Sequence, residues 1–218
     1  GRRRVFSYDD TTDEHGSFAH KEAVRELRTN LQYVDVDHPA RVIVMTSPLP
    51  GDGKSTTAAN LAVSMAAAGQ SVMLIDADLR RPVLGGMFGV SDEVGLSDVL
   101  AGRALIQQVA HRVGDSGKLF VVAAGRTPPN PSEMVGSQRM QNLAREVGEE
   151  MMVIIDSPPT LAVADAAVIA SWADGAVIVA SAGRTTDDML VRAVENLAKT
   201  KGRLLGVVVN RVSRRGGD

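Results

Sequence analysis

The sequence contains no cysteine. That excludes disulfides, thiolate nucleophiles and cysteine-rich zinc sites, and it suits a reducing compartment. Aromatic residues are scarce at 3%, so a core has to be assembled from Val, Ile, Leu, Ala and Met. No charge sign dominates: Lys and Arg number 24 against 26 Asp and Glu, for a formal net charge of −2. The chain as a whole therefore offers no attraction to nucleic acid, and no nucleic-acid partner is expected. Long apolar runs are also missing. The most apolar stretches, 151–155 and 166–173, are too short to span a bilayer, and Asp156 and Asp174 close them. The sequence opens on Gly1, Arg2, Arg3 and Arg4 without the pattern of a secretory signal. It reads as an excised piece of a longer protein. The basic run reads as a solvated terminus, the alternative being a segment just inside a membrane.

What is present is a globular balance of 44% apolar and 23% charged residues over 218 positions, enough for one domain with a real core. The expected organisation is a flexible segment over 1–19 and a single domain over 20–218. Ala23, Leu27, Leu31 and Val34 recur at helical spacing over 20–34. Short apolar runs at 42–45, 71–75, 119–123, 151–155, 176–181 and 204–209 predict strands. Helical patterns over 55–68, 137–147, 165–172 and 187–201 lie between them. Apolar strands alternating with helices predict an α/β fold, a mostly parallel central sheet with helices on both faces. The glycine-rich stretch 82–102 is expected to be an irregular, mobile loop.

The chemistry concentrates at Ser47-Pro-Leu-Pro-Gly-Asp-Gly-Lys-Ser-Thr-Thr57. This segment follows a strand and opens a helix, the context of a phosphate-binding loop. Gly51 and Gly53, with Asp52 between them, let backbone N–H groups turn toward phosphate oxygens. Lys54 supplies a mobile cation for the β- and γ-phosphates, Ser55 a hydroxyl for Mg²⁺, and Thr56 reaches the α-phosphate. The strict pattern has glycine where this chain has Pro48, and the structural alternative is a Gly-rich helix entry with a surface lysine. Two predicted strands end in acids at the edge where open α/β sheets bind ligand: Asp76-Ala-Asp78-Leu-Arg80, and Asp156-Ser-Pro-Pro159. Each alone reads as a strand-end cap, but with the loop they indicate an ATP–Mg²⁺ site. Glu22, Arg25 and Arg28 recur every three residues as a charged ridge, which spacing alone assigns to a solvated, salt-bridged helix face. Asn210 and Arg211 follow the last predicted strand. An amide there can read an adenine edge, although Asn is common in turns.

Together these residues resemble the bacterial tyrosine kinases, P-loop kinases paired with polysaccharide chain-length regulators. The likeness runs from Glu22 to Arg211. It is carried by Glu22-x-x-Arg25-x-x-Arg28-x-Asn30-Leu31, the Pro48–Thr56 loop, and Ile75-Asp76-Ala-Asp78-Leu-Arg80-Arg81-Pro82. Pro129-Asn-Pro-Ser-Glu133 and Ile155-Asp156-Ser-Pro-Pro159 add to it. Related partition and division-site ATPases carry an early loop lysine where this chain has Leu49. The resemblance implies ATP and Mg²⁺ as cofactors, with Lys54 and Ser55 on phosphate and metal. It implies that Asp76 helps activate a tyrosine hydroxyl, that Asp78 and Asp156 organise Mg²⁺, and that Asn210 and Arg211 lie near adenine. Glu22, Arg25 and Arg28 become a subunit contact in a ring-shaped homo-oligomer whose members phosphorylate their neighbours.

A membrane chain-length regulator is the implied activator, fused upstream or separate. The implied location is the cytoplasmic face of the plasma membrane, and the implied role is control of capsular or exopolysaccharide synthesis and export. The resemblance also implies a tyrosine-rich tail. This sequence has only Tyr8 and Tyr33 and ends Arg214-Arg-Gly-Gly-Asp218, which places the acceptors in a removed tail or on another substrate. Tyr33 is expected to be packed. The alternative function is an ATPase assembly switch that phosphorylates no protein.

Overall fold

The aliphatic runs become strands, and the central ones are buried along their whole length. In the computed structural model, which describes residues 14–212, these are β1 (Val42–Thr46), β2 (Val72–Asp76), β5 (Met152–Asp156) and β6 (Gly175–Ser181). With β3 (Ala110–Val113), β4 (Leu119–Val122) and β7 (Leu204–Asn210) they form a seven-stranded sheet in the order β3-β4-β2-β5-β1-β6-β7. Every pairing is parallel except β3 with β4.

Strand alternation sorts the side chains into two cores. Val42, Val44, Met73, Ile75, Val153 and Ile155 face α7 (Gln138–Glu150), α8 (Asp165–Ala170) and α9 (Asp187–Lys199). Ile43, Met45, Leu74 and Ile154 face α2 (Lys54–Ala67). Asp76 and Asp156 continue the even-numbered rows of their strands, so they project toward the α2 face. They are register partners across the sheet.

Three expectations change. The first helix, α1, spans Glu14–Tyr33, so it enters the segment expected to be flexible; residues 1–13 lie outside the described ones. Its inward stripe is Val24, Leu27 and Leu31, whereas Val34 is exposed and Ala23 turns outward. Tyr33, expected to be packed, is 70% exposed. It stands two positions beyond Leu31, about 200° around the helix and away from the buried stripe. Finally, the stretch 82–102 is folded, holding α3 (Leu84–Phe88) and α4 (Leu96–Leu100). Leu84, Phe88, Leu96 and Leu100 are buried there, and these anchors outweigh the glycines between them.

Helices α1 and α2 run the same way. His20 meets Asn60 at 2.8 Å, and Arg28 reaches the Ser64 carbonyl and hydroxyl at 3.0 and 3.1 Å. Since α2 begins at the phosphate-binding loop, the amino end of α1 points to that end of the sheet and Tyr33 lies at the other. No helix among the described residues is long and apolar enough to cross a membrane.

Candidate active site

The loop after β1 turns on two glycines whose φ angles, +80° at Gly51 and +91° at Gly53, are closed to most side chains. A Cβ would also displace a neighbour, the Asn210 amide at Gly53 and the Arg184 guanidinium at Gly51. Pro48, which departs from the strict loop pattern, sits in a tie to the segment after β5. Leu161 donates to the Pro48 carbonyl at 3.3 Å and Thr160 to the Ser47 carbonyl at 2.8 Å. A proline has no N–H to leave unsatisfied there.

Lys54 opens α2 and turns into the protein. Its Nζ donates to Asp156 Oδ1 at 3.0 Å and to Ser55 Oγ at 3.0 Å, and Ser55 Oγ donates to Asp156 Oδ2. Lys54 is 8% exposed and Asp156 fully buried. Asp76, also fully buried, is held by backbone. Its Oδ2 accepts from the Val83 and Leu84 N–H groups, both at 2.9 Å, and its Oδ1 from the Asp78 N–H at 3.2 Å. Burial, reinforced by the neighbouring Asp156 charge, pushes the Asp76 carboxyl up to about 7 against the pull of the backbone bonds and Lys54. Burial also raises Asp156, with Lys54 and Ser55 pulling the other way. Two carboxyls side by side in a dry site cannot both hold charge cheaply, and Lys54 offsets one of them.

A cavity of about 680 Å³ opens over this cluster. The loop residues Gly51, Gly53, Lys54, Ser55 and Thr56 line one side, with Asp78 and Arg211. Asp76 and Asp156 lie behind the wall. Asp52 is turned into the loop: its Oδ2 accepts from the Leu49 N–H at 3.0 Å. Two of the cofactor-binding candidates, Asp52 and Asn210, are thus not among the lining residues. Asn210 donates to the Asp52 carbonyl at 3.3 Å, and Arg211 reaches Ser181 Oγ at 3.5 Å. The ridge on α1 is away from this cluster. Glu22 and Arg25 pair with each other at 3.2 Å in the open, while Arg28 is spent on α2.

The oxygen donors fit Mg²⁺ carried in by a nucleotide. A hard cation takes hydroxyl and carboxylate ligands, few of them from protein, and keeps several waters. Ser55 and the Asp156 carboxylate already converge on one cation, the Lys54 ammonium, and Asp78 faces the same space. Among the described residues no group of three or more His, Cys, Asp or Glu side chains could hold a metal by itself.

Sequence reading missed two features. Arg184, in the loop after β6, grips the phosphate-binding loop from behind, donating to the Pro50 and Gly51 carbonyls at 2.7 and 3.2 Å. Its signal was position, since it follows another strand at the ligand-binding edge. The second is a triad around the buried Asp165: Arg80 donates to Asp165 at 2.7 Å and to Ser132 at 2.8 Å, and Ser132 Oγ donates to Asp165. It ties the segment after β2 to the 129–133 motif and to the start of α8. Only the pairing in space gives Ser132 and Asp165 a role.

The family model described as a NUBPL iron-transfer P-loop NTPase of the ParA type matches residues 38–214. Tyrosine-protein kinase YwqD of Bacillus subtilis is 44% identical over 87% of this chain and 80% of its own length. Tyrosine-protein kinase CpsD of Streptococcus agalactiae is 34% identical over 88% of this chain and 84% of its own. The chain spans only 27% of tyrosine-protein kinase etk of Escherichia coli and 25% of a putative tyrosine-protein kinase EpsB of Ralstonia solanacearum. Among solved structures, the kinase domain of Escherichia coli ETK aligns with a TM-score of 0.83 at 34% identity, over 91% of this chain and 79% of that one. The chimerical protein CapA2B2 aligns equally well, at 0.83 and 34%, over 88% of this chain and 85% of that one. A Pyrococcus furiosus cell division ATPase MinD, at 24% identity and a TM-score of 0.68 over 81% of this chain and 74% of that one, shares the fold.

Proposed function

Given that the chain belongs to the bacterial tyrosine kinases, P-loop proteins of the ParA type, we propose that it moves the γ-phosphoryl group of ATP–Mg²⁺ to tyrosines of neighbouring copies in a ring. The output is control of capsular or exopolysaccharide synthesis at the cytoplasmic face of the plasma membrane, under a membrane chain-length regulator. The observation that carries the reading is the Lys54–Ser55 pair that lines a cavity with the phosphate-binding loop and Asp78, backed by the buried Asp156 and Asp76.

Phosphoryl transfer requires placement and charge neutralisation more than covalent help. Lys54 leaves Asp156 for the β- and γ-phosphates, and the Gly51–Gly53 backbone holds the phosphates in place. Ser55, Asp78 and Asp156 hold Mg²⁺, which when bound neutralises phosphate charge. Asn210 and Arg211 border the base. Asp76, which keeps the basicity that an ordinary carboxylate lacks, takes the phenolic proton as the tyrosine attacks. The exposed Glu22–Arg25 pair docks on a neighbouring subunit, with Arg28 fixing its helix to α2.

Incubation with γ-labelled ATP and Mg²⁺ tests this: phosphotyrosine is expected on the chain or on a supplied acceptor. Clean ATP hydrolysis without phosphotyrosine, together with an oligomer size set by ATP against ADP, would establish an assembly switch instead.

A further inference from the structure

The proposed nucleotide contacts use only part of the cavity. Besides the loop, Asp78 and the arginines, the lining is largely apolar, with Val83, Met87, Pro158, Pro159, Ala162 and Val163. Such a slot suits a flat aromatic ring. Two cations border it, Arg80 and Arg81. Arg80 is committed to Asp165 and Ser132. Arg81 is exposed, and among the described residues no carboxylate pairs with its guanidinium; only its backbone N–H is engaged, by Asp78 at 3.0 Å. An unpaired cation beside an aromatic slot favours acceptors that carry acid next to the ring.

The sequence has two tyrosines, and one has that setting. Tyr8 is followed by Asp9 and Asp10, with Asp13 and Glu14 close behind, whereas Tyr33 stands between Gln32 and Val34. Tyr8 lies six residues before Glu14, where α1 begins at the cavity end of the sheet. Six extended residues reach roughly 20 Å. Tyr33 is at the opposite end.

We propose that the Arg81-bordered slot accepts a tyrosine followed by acidic residues, and that Tyr8 of another copy, with Asp9 and Asp10 read by Arg81, is an acceptor. This rests on the kinase reading above and names its substrate class. The Tyr8 phenol oxygen bonds to the γ-phosphorus as the bond from that phosphorus to the β–γ bridging oxygen breaks. The phenolic proton passes to a site carboxylate, and ADP leaves.

The test uses the full chain carrying Tyr8→Phe as enzyme and a peptide of residues 5–14 as acceptor, with ATP and Mg²⁺. The peptide is compared with versions bearing Asp9→Asn and Asp10→Asn, or Asp9→Lys and Asp10→Lys. The acidic peptide is expected to show a kcat/KM roughly three- to ten-fold above the neutral one, the size of one or two rim ion pairs. Arg81→Ala should flatten that order and Arg81→Glu should invert it in favour of the lysine peptide. Equal turnover of all three peptides, or an order indifferent to both Arg81 variants, overturns the slot. Mixing the Tyr8→Phe enzyme with Lys54→Met chain should place phosphate on Tyr8 of the latter, and phosphate only at other residues overturns the Tyr8 assignment. Hydrolysis of ATP with no phosphotyrosine on any peptide or chain is a separate result: it removes the kinase reading and this proposal with it.

Discussion

Asp76 and Asp156 are neighbours in register, both fully buried, both at the end of a parallel strand, yet they are held in opposite ways. Asp76 is tied to three backbone N–H groups, which cannot leave without refolding the turn after β2. Asp156 is tied to the Lys54 and Ser55 side chains, which can swing to a phosphate or a metal. One acid is part of the frame and the other is a placeholder for incoming charge. The same two strand ends thus supply a fixed group and an exchangeable one, as phosphoryl transfer needs.

The comparison breaks most sharply at Lys54. Lys54→Met is expected to reduce nucleotide turnover by at least ~10²-fold, as loss of a preorganised charge contact does. It should also cost roughly 3 kcal/mol of stability at pH 8, because Asp156 is left as a buried charge without its partner. Denaturation curves across pH check this, with the deficit shrinking as pH falls, because burial holds the Asp156 carboxyl above its ordinary range. Asp76→Asn should lower tyrosine transfer by about 10²-fold, the usual worth of a general base, while fluorescent-nucleotide titration shows ATP binding retained. Asp156→Asn should weaken the Mg²⁺ dependence of binding, and the contrast between the two Asn variants sharpens the division of labour.

Arg184→Ala comes next. Loss of two hydrogen bonds to the phosphate-binding loop is worth about 1–1.5 kcal/mol, which is expected to raise KM for ATP some five- to ten-fold with kcat nearly unchanged.

A further contrast is in the pH dependence of stability. In the nucleotide-free protein Asp76 binds its proton up to about pH 7, whereas the unfolded chain releases it near 4. Between those values the folded state holds more protons, so stability falls as pH rises through the window. Asp76→Asn should remove that slope, leaving the variant relatively more stable at pH 8 and level with the parent near pH 4, as thermal melts at each pH would report.

Much of this was legible in the sequence, and the reasons differ by residue. The central strands showed because burial on both faces demands unbroken runs such as Val42-Ile-Val-Met45. The loop and the strand-end acids showed because glycine, lysine and aspartate at those places have few other uses. Strand β3 was invisible: Ala-His-Arg-Val at an edge needs one neighbour and no apolar face. The stretch 82–102 misled because its glycines are as numerous as the apolar side chains that anchor it. Arg184 and the Arg80–Ser132–Asp165 triad are contacts between distant segments, which no local pattern encodes. Alternation along β2 and β5 does put Asp76 and Asp156 on one face, but only the pairing of those strands makes them neighbours.

Strand β1, which feeds the phosphate-binding loop, pairs with β5 and β6, both encoded more than a hundred residues later. At a synthesis rate of roughly 10 residues per second, the emerging chain carries its loop for about 10 s before either flank exists. During that interval Val42-Ile-Val-Met45 is an unpaired apolar segment, a target for chaperones and for mispairing. Assembly of this site is therefore a late event in the life of the nascent chain, and defects in β6 should appear first as poor yield and only afterwards as poor catalysis.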